Sequence, residues 1–319
     1  MATPPFLTPD AIDGQVTWPR VVQALNDGHG AEPAQVGDLL LRDDARSLLN
    51  RAAWIPGLGI GLKTVSVFPE NAEQSPPRPT VQGVFVLYDD ATGAIRAFVD
   101  GGLITRWKTA ADSVLGARYL ARPESRTLLI AGSGSVGREL VAAYKAVFPE
   151  LATIRIWSRT HANADALAQD MAAQGYPTEA VTDLASAAGK ADIIASATLA
   201  SEPILHGAWL RPGTHVDLIG AYRPDMREAD DALLRRAEIF VDSRETTLEH
   251  IGELKIPLEA GTITRADVRG DLYDLHAQRA GRSAATAITL FKNGGGAHLD
   301  LMVADLFVRL YEEGAATGG

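Results

Sequence analysis

Period-two alternation dominates the early part of the chain, and short apolar runs alternating with helical spacing dominate the rest. Segments 38–41, 47–54, 59–68 and 81–88 read as strands, and a turn at Asp89-Asp90-Ala91-Thr92-Gly93 leads to another strand at 94–99. This predicts a mostly antiparallel sheet. Segment 74–79 can only be a loop, because its three prolines in four residues have no N–H for a ladder. A short packing helix begins at Pro19 and ends at Gly28. A longer one covers 103–120, where Ile104, Trp107, Ala111, Val114, Leu115 and Tyr119 keep helical spacing until Ala121-Arg122-Pro123 ends it.

The next stretch organises the second half. Leu128 to Ala131 run into Gly132-Ser133-Gly134-Ser135-Val136-Gly137, a helix follows at 138–148, and a strand follows at 153–157. Strand, glycine turn, helix and strand in that order form a dinucleotide-binding unit. Gly132 permits the sharp turn, Gly134 lets backbone approach a pyrophosphate, and Gly137 lets helix and sheet pack closely. Ser135 and Val136 lie between these glycines, beside a helix N-terminus whose free N–H groups favour phosphate. Further strands at 192–196, 214–219, 239–242 and 285–291 alternate with helices at 161–174, after Asp183, at 245–254 and at 272–280. After the loop 292–296 a final helix runs to about 311. The fold class is α/β: a doubly wound, Rossmann-type, largely parallel sheet domain plus a smaller α+β domain. The expected division is 1–121, rejoined by 297–319, against 122–296. Ligands sit at the carboxyl ends of such strands, which brings Gly134, Ser196, Ala197, Thr198 and Gly220 to Tyr222 to one edge.

The end of the second nucleotide strand selects the cofactor. NAD sites carry Asp or Glu there for the ribose hydroxyls, whereas this chain reads Trp157-Ser158-Arg159-Thr160. Arg159 can pair with a 2′-phosphate through its planar fork while Ser158 and Thr160 donate to the same oxygens. NADP(H) is favoured over NAD(H). Arg159 as an ordinary solvated strand-end residue is the alternative.

Composition narrows the remaining classes. With 319 residues and 46% hydrophobic content, two globular domains are expected. A net charge of −10 and the lack of a basic run argue against nucleic acid or an anionic membrane as partner. Without cysteine there is no disulfide, thiolate metal site or cysteine nucleophile, and the seven histidines show no HxxxH or HExxH spacing, so no metal site is expected. The N-terminus lacks a signal-peptide pattern and no run reaches 18 apolar residues, which makes a cytoplasmic protein the default expectation.

Lys63 is the anomaly of the first domain. It shares a strand side with Val65 and Val67, and a buried lysine must be paired or used. A mixed strand face or a snorkelling stem is the alternative. Arg51, on the preceding strand, lies within reach across a hairpin, and two converging cations suit an anionic substrate such as an amino-acid carboxylate. Lys108, beside Thr109 on the long helix, is a third candidate, with a solvated helix residue as the plainer reading.

Four motifs, in order, resemble the ornithine cyclodeaminase/mu-crystallin family: residues 61–71 (GLKTVSVFPEN), 103–111 (LITRWKTAA), the glycine turn, and 220–228 (GAYRPDMRE). The resemblance covers the chain from about residue 56 onward. It implies a homodimer built through the non-nucleotide domain, a tightly bound nicotinamide cofactor, and chemistry at the α-carbon of small amino or imino acids. It also implies that Lys63 is the active-site lysine and that Arg51 holds a substrate carboxylate. Two departures are informative. Lys108 stands where the family usually has arginine, and a lysine cannot reproduce a bidentate clamp. Tyr222 stands where cyclodeaminases carry an acidic base two places after the glycine, and tyrosine is a poor general base near neutrality. The resemblance therefore implies an NADPH-dependent reductase of a cyclic imino acid, Δ1-pyrroline-2-carboxylate or Δ1-piperideine-2-carboxylate, with the nicotinamide held near Thr198, Tyr222 and Asn293. The alternatives are a true ornithine cyclodeaminase, an alanine-type dehydrogenase and a non-catalytic NADPH-binding protein of the mu-crystallin kind.

Overall fold

The computed structural model describes residues 3–12 and 14–317. The chain divides into two compact units, residues 1–108 with 296–319 and residues 109–295. The division falls inside the helix Gly101–Leu120 rather than at its end, where the sequence suggested a boundary. The reason is that its early residues serve one unit and its later residues the other. Thr105 accepts a hydrogen bond from Lys63, whereas the Thr109 carbonyl and the Ser113 hydroxyl accept from Asn293, and Gly116 packs on Phe291.

The first unit is built on a six-stranded sheet of β1 (Phe6–Leu7), β2 (Gln35–Asp43), β3 (Arg46–Ile55), β4 (Gly59–Val67), β5 (Val81–Tyr88) and β6 (Ile95–Asp100), ordered β1-β6-β5-β4-β3-β2. All neighbours are antiparallel except the short β1, which runs parallel to β6. One face is covered by the C-terminal helix Ala297–Thr317, which also packs on the helix Trp18–Gly28. The two helices approach so closely at Gly28 that an added Cβ would lie 2.5 Å from Met302. Phe85, Leu87, Val99, Leu25 and Leu299 are fully buried in this unit.

The second unit carries an eight-stranded, fully parallel sheet. Its strands are β7 (Thr127–Ala131), β8 (Thr153–Trp157), β9 (Thr178–Ala180), β10 (Ile193–Ser196), β11 (His215–Leu218), β12 (Ala237–Val241), β13 (Val268–Gly270) and β14 (Ile288–Lys292), in the order β13-β12-β14-β11-β10-β7-β8-β9. The order reverses between β7 and β10, the switch point where ligands of doubly wound sheets bind. The central strands β7 and β10 read as short apolar runs because both faces are buried.

Several elements differ from their sequence reading. The helix expected at 245–254 is two helices, Arg244–Thr247 and Gly252–Glu259. Extended backbone at Ile251 breaks it, and the Gly252 N–H donates to the Arg223 carbonyl instead of continuing the first helix. The helix expected at 272–280 stops at His276, after a capping box between Asp271 and Asp274, and Gln278 turns the chain with a φ of +56°. The helix after the glycine turn starts at Ser135, earlier than the expected 138. Strands β1, β9 and β13 are too short to show periodicity. Among the described residues no helix is long and apolar enough to cross a membrane.

Candidate active site

In the first unit, pairing of β3 with β4 sets Arg51 directly opposite Lys63, so both side chains leave the same face of the sheet. Lys63 is buried. Its Nζ donates to Thr105 Oγ1 at 2.8 Å and to Asp300 Oδ1 at 3.1 Å, which answers the sequence anomaly: this lysine is paired, not snorkelling. Arg51 is half-buried and its Nε donates to Asp38 Oδ2 at 2.9 Å. Lys108 is buried rather than solvated. It and Arg51 lie close enough to His298 to add to the effect of burial and His29 in holding that imidazole well below its ordinary pKa. His298 is therefore neutral, and the local cations are Lys63, Arg51 and Lys108. Such a cluster can hold a carboxylate.

The second unit gathers the glycine turn and three loops at the carboxyl ends of its strands. Gly132 has a φ of +123°, and a Cβ there would lie 2.4 Å from the Ala197 carbonyl, so the turn and the β10 loop touch at the switch point. A Cβ on Gly137 would lie 2.3 Å from the Gly132 carbonyl. Gly134 faces open space and caps the helix Ser135–Val147, whose first turn includes Val136. Together these leave exposed backbone N–H groups at a helix N-terminus, the arrangement a pyrophosphate needs. At the end of β8, Arg159 and Thr160 are exposed and Ser158 is half-buried.

The other predicted residues occupy the same edge in different ways. Tyr222 is 60% exposed on the loop after β11, with the Arg223 guanidinium 5.6 Å above its ring and Arg223 itself paired with Asp225. Asn293 uses its amide N–H groups to hold Thr109 and Ser113 of the long helix, so its side-chain donors serve the scaffold. Thr109 contributes its carbonyl to that contact.

Sequence reasoning missed a set of buried charges behind these loops. Glu228 accepts hydrogen bonds from Ser196, Thr198 and Gly220, Asp242 accepts from the Gly294 and Gly295 N–H groups, and Lys292 donates to the Leu218 and Asn293 carbonyls. Burial raises the carboxyls of Glu228 and Asp242 and lowers the Lys292 ammonium, with each partner's charge opposing the shift. It also missed Asp300 and Thr105. An acid in the first turn of an apolar helix reads as a dipole partner, and only the fold brings Asp300 to Lys63. Among the described residues no cluster of His, Cys, Asp or Glu could hold a metal ion.

The model of the ornithine cyclodeaminase/mu-crystallin family matches residues 56–314. The chain belongs to this family. Within it, the Delta(1)-pyrroline-2-carboxylate reductase of Paracoccus denitrificans is 50% identical over 310 residues, which cover 97% of this chain and 98% of the relative. The ketimine reductase mu-crystallin of Rattus norvegicus is 34% identical over 241 residues, 74% of this chain and 72% of the relative. Among solved structures, Delta(1)-pyrroline-2-carboxylate reductase of Thermococcus litoralis in complex with NADH and L-proline aligns at a TM-score of 0.88 and 28% identity, covering 97% of this chain and 98% of that one.

Proposed function

We propose that the protein reduces a cyclic 2-imino acid, Δ1-pyrroline-2-carboxylate or Δ1-piperideine-2-carboxylate, to the cyclic amino acid with NADPH. The observation that carries this reading is the shared sheet face of Lys63 and Arg51, in a chain half identical to a pyrroline-2-carboxylate reductase over nearly its whole length. Arg51 and Lys63 bind the substrate carboxylate. The Lys63 ammonium, oriented by Thr105 and Asp300, or a water it holds, donates a proton to the imine nitrogen. A nicotinamide cofactor, when bound, would supply the hydride for reduction at the α-carbon. Positioning and charge placement then account for most of the acceleration. Gly132 to Gly137 and the following helix N-terminus would cradle the pyrophosphate, Ser196 to Thr198 and Gly220 would border the nicotinamide, and Ser158, Arg159 and Thr160 would hold the 2′-phosphate. Without an acid at position 222, the ring-closing base of a cyclodeaminase has no counterpart at that place.

A homodimer is part of the same reading. Leu39, Leu41, Leu48 and Trp54 share the sheet face opposite the C-terminal helix, and they are 56%, 52%, 38% and 44% exposed. An apolar face of this kind on a six-stranded sheet suits burial against a second copy. The reaction is tested by following NADPH oxidation with each cyclic imine beside ammonia release from L-ornithine with NAD. Faster ammonia and proline production from ornithine would overturn the reductase reading.

A further inference from the structure

The two loops assigned to the nicotinamide end of the cofactor are joined by one buried carboxylate. The Glu228 side chain is fully enclosed. Its Oε1 accepts from Ser196 Oγ at 2.6 Å, from the Thr198 N–H at 2.8 Å and from Thr198 Oγ1 at 2.7 Å, and its Oε2 accepts from the Gly220 N–H at 2.7 Å. Ser196 and Thr198 follow β10, whereas Gly220 follows β11, so the carboxylate spans neighbouring strand ends. A second feature shows how tightly they are drawn together. A Cβ on Gly220 would lie 1.9 Å from the Thr198 carbonyl, 2.4 Å from its nitrogen and 2.7 Å from Glu228 Oε1.

Glu228 is itself fixed. The backbone N–H groups of Glu228 and Ala229 donate to the buried Glu253 carboxylate at 2.8 and 3.0 Å. The tips of the clamped loops are open: Leu199 is 81% and Tyr222 60% exposed. A carboxylate this deep, with donors from two loops filling its oxygens, is costly to bury and gains its return in loop geometry.

We propose that Glu228 is a positioning residue that sets the spacing of the Ser196–Thr198 and Gly220 loops, and through them the seat of the nicotinamide ring. This rests on the cofactor assignment made above. The adenosine half of the cofactor is assigned to the glycine turn and Ser158 to Thr160. The clamped loops meet that turn at Ala197 beside Gly132, and Glu228 itself makes no hydrogen bond to either segment among the described residues. Loss of the clamp therefore affects the nicotinamide half of the cofactor more than the adenosine half.

The test is Glu228→Gln, which keeps the shape but replaces one acceptor oxygen with a donor that faces N–H or O–H groups. Binding of NADPH, NADH and ADP-ribose is measured by calorimetry, together with kcat on each cyclic imine. We expect roughly ten-fold weaker binding of both reduced cofactors, a larger fall in kcat, and ADP-ribose affinity within about two-fold of wild type. Gly220→Ala should reproduce the split by pushing the loops apart with Glu228 in place, so the outcome does not depend on one variant folding. Unchanged cofactor binding and kcat in both variants overturn the proposal. Equal losses for ADP-ribose and the intact cofactors also overturn it, because they mark a general loss of structure. If the wild type reduces neither imine while the variants still show the split between cofactor halves, the reaction assigned above is overturned and the clamp stands.

Discussion

Replacing Lys63 by Met separates what this lysine does for catalysis from what it does for the fold. Met keeps the unbranched stem and removes the charge, so packing changes little while Asp300 loses the ammonium 3.1 Å away. At an effective dielectric of about 20, two charges at that distance attract by about 5 kcal/mol. Breaking a buried pair by removing one partner typically costs about 3–5 kcal/mol, because the other charge stays behind uncompensated. The pair qualifies, with side chains only 10% and 3% exposed. At roughly 2–4 °C per kcal/mol, the melting temperature should fall by roughly 6–20 °C. Turnover should vanish as well, but lost activity in an unstable variant proves little. The informative protein is Lys63→Met with Asp300→Asn, in which no buried charge is left alone. Calorimetric melting should return most of the way to wild type, while NADPH oxidation with either imine remains absent. Measurable turnover by the stable double variant would refute an essential role for the Lys63 ammonium. A loss under about 1 kcal/mol in the single variant would show the pair to be solvated.

Three other outcomes follow from separate parts of the molecule. Arg159→Ala removes a charge-assisted contact of about 1.5–3 kcal/mol, so NADPH should bind about one to two powers of ten more weakly while NADH is nearly unaffected in a parallel titration; equal losses would argue against a 2′-phosphate contact. Light scattering at micromolar concentration should give the mass of a dimer, and Leu41→Glu with Leu48→Glu should halve it. Burial lifts the Asp217 carboxyl to about 7, against hydrogen bonds from Ser113 and Tyr144 and the charge of Lys292. The folded state then keeps a proton that the unfolded chain has lost, so this residue lowers stability as pH rises from about 4 to about 7 and no further above it. Asp217→Asn removes that slope, and urea midpoints should favour the variant over wild type by more at pH 8 than at pH 5, on the order of 2–4 kcal/mol. A constant difference across that range would contradict a raised carboxyl.

Where the sequence was readable, local rules were enough. The turn at Gly132 to Gly137 announced itself because strand, glycine spacing and helix follow one another directly in the chain, and Lys63 stood out because a charge broke a two-residue period. Asp300 and Glu228 could not be found that way. Asp300 is 237 residues from Lys63, and nothing in the local pattern of a C-terminal apolar helix indicates which strand it will cover. Glu228 sits in a loop where an acid is unremarkable until the strand ends after β10 and β11 are placed side by side. The helix expected at 245–254 failed for a related reason: the Arg223 carbonyl that captures the Gly252 N–H comes from another loop. Propensity carries no information about such a competitor.

The contrast between the glycine turn and the end of β8 also bears on how this protein can change. A side chain at Gly132 or Gly137 would collide with backbone at 2.4 or 2.3 Å, so those positions have almost no freedom to vary. Arg159 and Thr160 face solvent, where substitutions usually alter stability by less than about 0.5 kcal/mol. The part assigned to gripping any dinucleotide is thus rigidly constrained, and the part assigned to telling one dinucleotide from another is nearly free to drift. On that assignment, cofactor preference can switch between close relatives through one or two substitutions after β8, without a detour through an unstable intermediate, while the fold and the cations assigned to the substrate stay as they are.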